Sequence, residues 1–213
     1  MLILGISTSA GQFALILGEN GRAVFNSADS EPDGELYALL RKGLDVCGKN
    51  IDAVSHIIVD TGPGGTSRVR TGVAFADSLS YALRVPVCPV SSMELSGIDA
   101  FARYAVPVIN SVKSIKGNAY VGFYDGRCEN GVKTEYGRIE EIVPRLTKDV
   151  DKFTVVGAHR SLIAQLPELK GKTVVDSGMP FGNARILIEK SALFLGRGLL
   201  FPEFAVPVTE QTV

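Results

Sequence analysis

The apolar run Val54–Asp60 (VSHIIVD) passes directly into Thr61-Gly62-Pro63-Gly64-Gly65-Thr66-Ser67, and no other junction constrains the fold as strongly. A short continuous apolar run reads as a buried strand, and the glycines after it allow a sharp backbone turn. Beyond them Val73, Ala76, Leu79, Ser80 and Leu83 share one helical stripe, which predicts a helix over 68–83. Strand, glycine turn and helix in that order point to an α/β chain.

The flanking sequence extends the pattern. Leu2–Ser7, Gln12–Gly18 and Arg22–Asn26 are apolar runs separated by a Ser/Thr/Gly turn and by Asn20-Gly21, predicting an antiparallel meander. Leu36, Leu39, Leu40, Leu44 and Cys47 predict an amphipathic helix over 35–47, ended by Gly48. A strand over Val85–Val90 follows, and Ser91 with Glu94 reads as a capping box for a helix reaching about Arg103. In the second half, strands are expected at Val106–Asn110, Asn118–Tyr124, Val132–Tyr136, Phe153–Gly157 and Thr173–Val175. One helix is expected over Asn183–Leu195, then an extended tail with two prolines. The stretch Arg103–Pro107 is the expected boundary between two lobes, 1–104 and 105–213.

Hydrophobic residues at 46% and charged residues at 21% exclude a disordered or fibrous chain. Lys plus Arg number 22 against 23 Asp plus Glu, a net charge of −1, so an unaided grip on tRNA or DNA is disfavoured. Cys47, Cys88 and Cys128 form no CxxC pair, which fits free thiols in a reducing compartment. The apolar N-terminus is interrupted by Gly5, Ser7, Thr8, Ser9 and Gly11 and lacks a basic flank. It reads as neither signal peptide nor membrane span, and the expected location is cytoplasmic.

Two turns are candidates for chemistry. Gly62, Gly64 and Gly65 precede a helix N-terminus, where exposed N–H groups suit a phosphate. No GK[ST] follows, however, and the turn equally suits close packing or a partner contact. Ser7, Thr8 and Ser9 carry hydroxyls that either bind phosphate or satisfy nearby backbone, and this turn lacks a carboxylate for a metal. His56 and His159 are the only histidines and form no HExxH, and no GxSxG elbow is present, which excludes those protease classes. Cys47 lies on an apolar stripe and reads as core. Lys113 and Lys116 read as solvated, and Glu140-Glu141 as a solvated helix start.

Taken together, ILGISTSAGQFALIL, the helix over 35–47, VSHIIVDTGPGGTSRVRTGVAFADSLSYAL and VPVCPVSSMELSG resemble the TsaB family of glycoprotease-like domains, also called YeaZ. GPGGTSRVRTG is similar to that family's GPGSFTGLRIG segment; later, AYVGFYDG and PEFAVPV resemble its short strand and closing segment. The resemblance implies the actin-like, sugar-kinase-like (ribonuclease H-like) ATPase fold, with an intact first lobe and a reduced second lobe. It implies a part in forming N6-threonylcarbamoyladenosine in tRNA, as a non-catalytic partner of the catalytic subunit TsaD, joined by the ATPase TsaE. A homodimer is expected when the chain is alone, with tRNA met only through the complex. No cofactor is required, and ATP or ADP binding is left open. The implied pairing surface falls on Leu36, Leu39, Leu40, Arg68, Val69, Gly72, Phe75, Ala76 and Leu79, and any phosphate contact on Ser7, Thr8, Ser9, Gly62, Gly64 and Gly65. Ser7 stands where the family often has aspartate, Gly34 near a family histidine, and Lys113–Ile115 in place of a DAR-like segment. The alternatives are a stand-alone small kinase or ATPase, with Arg68 or Arg70 as anion clamp and Asp60 as carboxylate, and a twofold homodimer unconnected with TsaD.

Overall fold

The first apolar runs form β1 (Leu2–Ser7), β2 (Ala14–Glu19) and β3 (Arg22–Asn26), paired antiparallel. At the β2–β3 tip, Asn20 and Gly21 both take positive φ, 50° and 74°, the conformation an Asn-Gly hairpin supplies. The leucine stripe forms α1 (Leu36–Cys47), stopped by Gly48 in the left-handed region. Next come β4 (Val54–Asp60), α2 (Thr66–Leu83), β5 (Val87–Val90) and α3 (Ser92–Tyr104). In this computed structural model, residues 1–10, 13–29, 34–127, 131–198, 201 and 203–213 are described.

The second half follows the expected strand order: β6 (Val108–Lys113), β7 (Ala119–Tyr124), β8 (Lys133–Gly137), β9 (Lys152–Gly157) and β10 (Thr173–Asp176). α4 (Ile139–Leu146) carries Glu140 and Glu141 in its first turn, where carboxylates suit the helix dipole. α5 (Arg160–Ile163) is a single turn after β9. Cys128 lies outside the described residues.

The chain forms two units. The first is Met1–Ser91 with Ala184–Val208, and the second is Ser92–Asn183 with Thr209–Val213. Each holds a five-stranded mixed sheet, ordered β3-β2-β1-β4-β5 in one and β10-β9-β6-β7-β8 in the other. In each, an antiparallel three-strand meander continues into two parallel strands. The division therefore falls at Ser91/Ser92 and not within 103–107, because α3 packs on β6, β7 and β9. Every residue of Ser92–Ala100 is buried there.

The expected helix over 183–195 is two pieces, α6 (Ile186–Glu189) and α7 (Ser191–Leu195), broken at Lys190. Ile186, Leu187 and Ile188 are consecutive and all buried, a pattern one straight helix cannot turn toward a single sheet. The break lets α6 lie on β1–β3 and α7 on β4 and β5. Gly18 makes room for this return: a Cβ there would sit 2.1 Å from Ile188 Cγ2.

The first unit's core joins Leu4, Ile6, Leu15 and Leu17 of the sheet to Leu36, Leu39, Leu40 and Leu44 of α1 and Val69, Val73 and Ala76 of α2. The second joins Ile109, Val121, Phe153 and Val155 to Ile139, Ile142 and Val143 of α4 and Ile163 of α5. Below α4, Lys172 Nζ donates to the carbonyls of Thr147 (2.9 Å), Lys148 (3.3 Å) and Val150 (2.9 Å), tying down the chain that leaves the helix. Lys172→Met is expected to lower stability by about 1–2 kcal/mol, because carbonyls held by one ammonium lose it together. Urea unfolding followed by circular dichroism checks this; an unchanged midpoint would show that water replaces the ammonium without loss.

Candidate functional site

β1 and β4 are parallel neighbours, registered from Leu2↔Val54 to Ile6↔Val59. Their C-terminal ends therefore lie side by side, and the polar residues ending each strand meet. Ligands of open α/β sheets bind outside the C-terminal ends of strands, so this edge is where chemistry is sought.

Asp60 stands at the centre, 1% exposed. Ser7 Oγ donates to its Oδ2 at 2.7 Å, and Ser9 Oγ donates to the same oxygen. The Gly62 N–H donates to Oδ1 at 2.9 Å, and the Ser9 N–H adds a further bond. Burial still raises the Asp60 carboxyl above the ordinary carboxylate range, opposed by the bonds from Ser9, Gly62 and Ser7. Asp60 entered the sequence reading only as a possible carboxylate for a kinase. The signal for its wider role was that β1 and β4 both end in polar residues; their adjacency was not readable.

Thr8 turns the other way. Its hydroxyl donates to the Arg68 carbonyl at 2.8 Å, in the first turns of α2. Gly72 opens space for it: a Cβ on Gly72 would lie 2.4 Å from Thr8 Oγ1. A Cβ on Gly64 would meet Ser9 Cβ and its carbonyl oxygen, both at 2.6 Å. Thus Ser7, Thr8, Ser9, Gly62, Gly64 and Gly72 are brought together, two turns folded onto each other around one carboxylate. Gly65 is the exposed N-cap position of α2, where an added Cβ would meet only the Arg68 side chain, at 4.0 Å. The exposed Arg68 places its guanidinium 6.0 Å from the Phe13 ring centroid, a cation–π approach.

The residues expected to pair with a partner are differently placed. Leu36, Leu39, Leu40, Val69 and Ala76 are all in the first unit's core, Gly72 is buried against Thr8, and Phe75 and Leu79 pack half-buried on the same core. The leucine stripe of α1 and the Val69, Val73 and Ala76 stripe of α2 are spent on the first unit's own sheet, with Phe75 and Leu79 only partly covered. Among the residues that face solvent are Tyr37 and Val46 on α1, 69% and 63% exposed, beside Arg41 and Asp45, and Ala74, Ser78 and Tyr81 on α2, Tyr81 at 64%, beside Arg70 and Thr71. Tyr37, Val46, Ser78 and Tyr81 stand between stripe positions and give no periodic signal in the sequence.

Other candidates are more ordinary. His56 lies within β4, its Nδ1 3.2 Å from Ser55 Oγ, and burial lowers its pKa. His159 follows β9 in the second unit, its pKa lowered by burial and by Lys113, whose side chain is exposed at the end of β6. Burial raises the Cys47 thiol and pushes Cys88 up to about 11, so neither thiol is activated. No helix among the described residues is long and apolar enough to cross a membrane.

A sequence model described as "TsaD: tRNA N6-adenosine threonylcarbamoyltransferase" matches residues 34–166. The tRNA threonylcarbamoyladenosine biosynthesis protein TsaB of Bacillus subtilis is 31% identical over 102 residues, covering 47% of this chain and 40% of that protein. The tRNA N6-adenosine threonylcarbamoyltransferase of Geobacter sulfurreducens is 27% identical over 151 residues, covering 60% and 44%. The chain thus spans less than half the length of these relatives. Among solved structures, YeaZ from Pseudomonas aeruginosa superposes with a TM-score of 0.75 at 20% identity, over 98% of this chain and all (100%) of that one. At that identity the likeness is one of fold.

Proposed function

We propose a function for a chain that belongs to the TsaD family, the family described as tRNA N6-adenosine threonylcarbamoyltransferase: it acts in threonylcarbamoylation of tRNA adenosine as a non-catalytic, TsaB-type subunit. The observation that carries this reading is the use made of Asp60. The one carboxylate at the joined ends of β1 and β4 has its oxygens taken by Ser7, Ser9 and Gly62. A buried group committed to three neighbours holds two turns together, whereas a metal or a reacting phosphate needs oxygens aimed outward. The likeness of fold to YeaZ over nearly the whole chain supports the same reading.

In this reading the partner is a TsaD-type catalytic chain, with a TsaE-type ATPase joining the pair and a homodimer forming in their absence. The chain needs no cofactor of its own. Its net charge of −1 accords with tRNA being held by the complex and not by this subunit alone. The contact face comprises the outward residues of α1 and α2: Tyr37, Ala74, Ser78 and Tyr81, flanked by the half-buried Phe75 and Leu79. Small residues at Ala74 and Ser78 between larger ones let another helix approach closely.

Light scattering after size exclusion, on this protein mixed with the TsaD-type chain of its own organism, tests the proposal. A one-to-one complex is expected. Ala74→Arg is expected to weaken it about a hundredfold, since a long charged side chain then stands where a helix should pack. Ala74 is exposed, so the variant should keep the parent circular dichroism spectrum and melting curve. No complex at tens of micromolar, or an Ala74→Arg complex of parent affinity, overturns the partner or the face respectively.

A further inference from the structure

The C-terminal segment Glu203–Val208 runs along the first unit. Ala205 is 5% exposed and belongs to the core, while Phe204 and Val206 on either side are 51% and 67% exposed. The Ala205 N–H donates to Asp77 Oδ1 on α2 at 2.9 Å, and the Val208 N–H donates to the Thr61 carbonyl at 2.8 Å. Thr61 is itself 4% exposed, and its own N–H donates to the Val90 carbonyl at 2.9 Å. So Thr61 is held by the end of β5 through its N–H and by the tail through its carbonyl. The next residue is Gly62, whose N–H is bonded to Asp60, and Gly64 lies against Ser9. The tail therefore grips the first residue of the turn that closes over Ser7, Thr8 and Ser9.

The grip is built to be weaker than the sheet it rests on. Among the described residues, it consists of two backbone donors, one buried methyl side chain and the half-buried Pro207 and Val208, with Phe204 and Val206 left exposed. Segments with few buried contacts open far below the free energy of global unfolding. The turn, by contrast, depends on the tail, because a buried carbonyl that loses its donor must rehydrate or move.

We propose that Glu203–Val208 is a releasable strap, whose seating on Asp77 and Thr61 sets the conformation of the glycine turn and the first turn of α2. The device makes the paired turns responsive to whatever engages or removes the C-terminal segment. It stands independently of the partner assigned above.

Amide hydrogen exchange read by mass spectrometry tests it on three proteins: the full chain, the chain ended after residue 202, and full-length Ala205→Asp, which cannot seat the strap. In the full chain, Ala205 and Val208 are expected to exchange at least a hundredfold faster than β1. In both variants, peptides spanning Gly62–Val69 are expected to exchange at least tenfold faster than in the parent, with β1 and β2 unchanged. Ala205 and Val208 protected as strongly as β1 would show the strap does not release. Parent-like exchange at Gly62–Val69 in the variants, or a rise spread evenly over β1 and β2, would equally overturn the proposal.

Discussion

Asp60→Ala is expected to destabilise the first unit by about 2–4 kcal/mol, a fall of roughly 10 °C in melting temperature. The carboxylate is 1% exposed and accepts from Ser7, from Gly62 and from the hydroxyl and N–H of the half-buried Ser9, so its loss leaves these donors without their acceptor. Relief of the carboxylate's own desolvation offsets part of this. Asp60→Asn should be milder, because the amide oxygen still serves Gly62 and the serine hydroxyls can rotate to accept from its NH2.

The pH dependence has a definite sign. Burial raises the folded pKa of Asp60 above its unfolded value of about 3.9. The folded chain then binds this proton more tightly, so the Asp60 contribution is fully present below the unfolded value and lost as pH rises through the folded one. The advantage of the parent over Asp60→Asn should therefore shrink between pH 4 and pH 7. Chemical denaturation at both pH values checks it. An advantage that grows with pH would mean that the hydrogen bonds outweigh desolvation and that the carboxylate is held ionised.

The second large effect is expected in the other unit. Gly157 ends β9 with φ +98°, and a Cβ there would lie 2.0 Å from the Ser111 carbonyl oxygen. That oxygen cannot retreat freely, because it accepts the Ala158 N–H at 2.9 Å while Ser111 Oγ accepts the His159 N–H at 3.1 Å. Gly157→Ala is thus expected to destabilise by about 3 kcal/mol or more, from backbone collision added to left-handed strain. Gly171→Ala separates the two causes. Gly171 has a similar φ of +95° and nothing within 4 Å, so only the strain, about 1 kcal/mol, should appear. Equal effects of the two substitutions would mean that the β6–β9 junction yields to the methyl group.

Much of the fold was legible in the chain. Among the described residues, the strands other than the polar β8 fall where short apolar runs are bounded by turn residues, and α1 begins and ends as its leucine stripe and Gly48 dictate. These are local matters, in which periodicity and backbone preference act within a few residues. The return of 184–208 to the first unit was not legible, since neither Gly18 nor Ile188 signals its partner across the chain. The broken helix at Lys190 escaped for the same reason: its bend is imposed by the two sets of strands it must cover. Leu36, Leu39 and Leu40 show the limit from the other side. Their stripe was read correctly as a helix face, but only packing shows that the face is spent on its own sheet.

By itself, then, the sequence determined the α/β class, the order of the elements and the turn glycines, because each depends on the conformational preferences of neighbouring residues. Only the tertiary structure decided that Ser7, Ser9 and Gly62 converge on Asp60, that Thr8 fills the space above Gly72, and that the tail reaches Thr61. Apart from the local Gly62–Asp60 bond, those contacts join residues more than fifty positions apart through the parallel pairing of β1 with β4 and the return of the C-terminal segment. Such pairing is selected by burial of the whole sheet, a cooperative property that no single stretch of the chain carries.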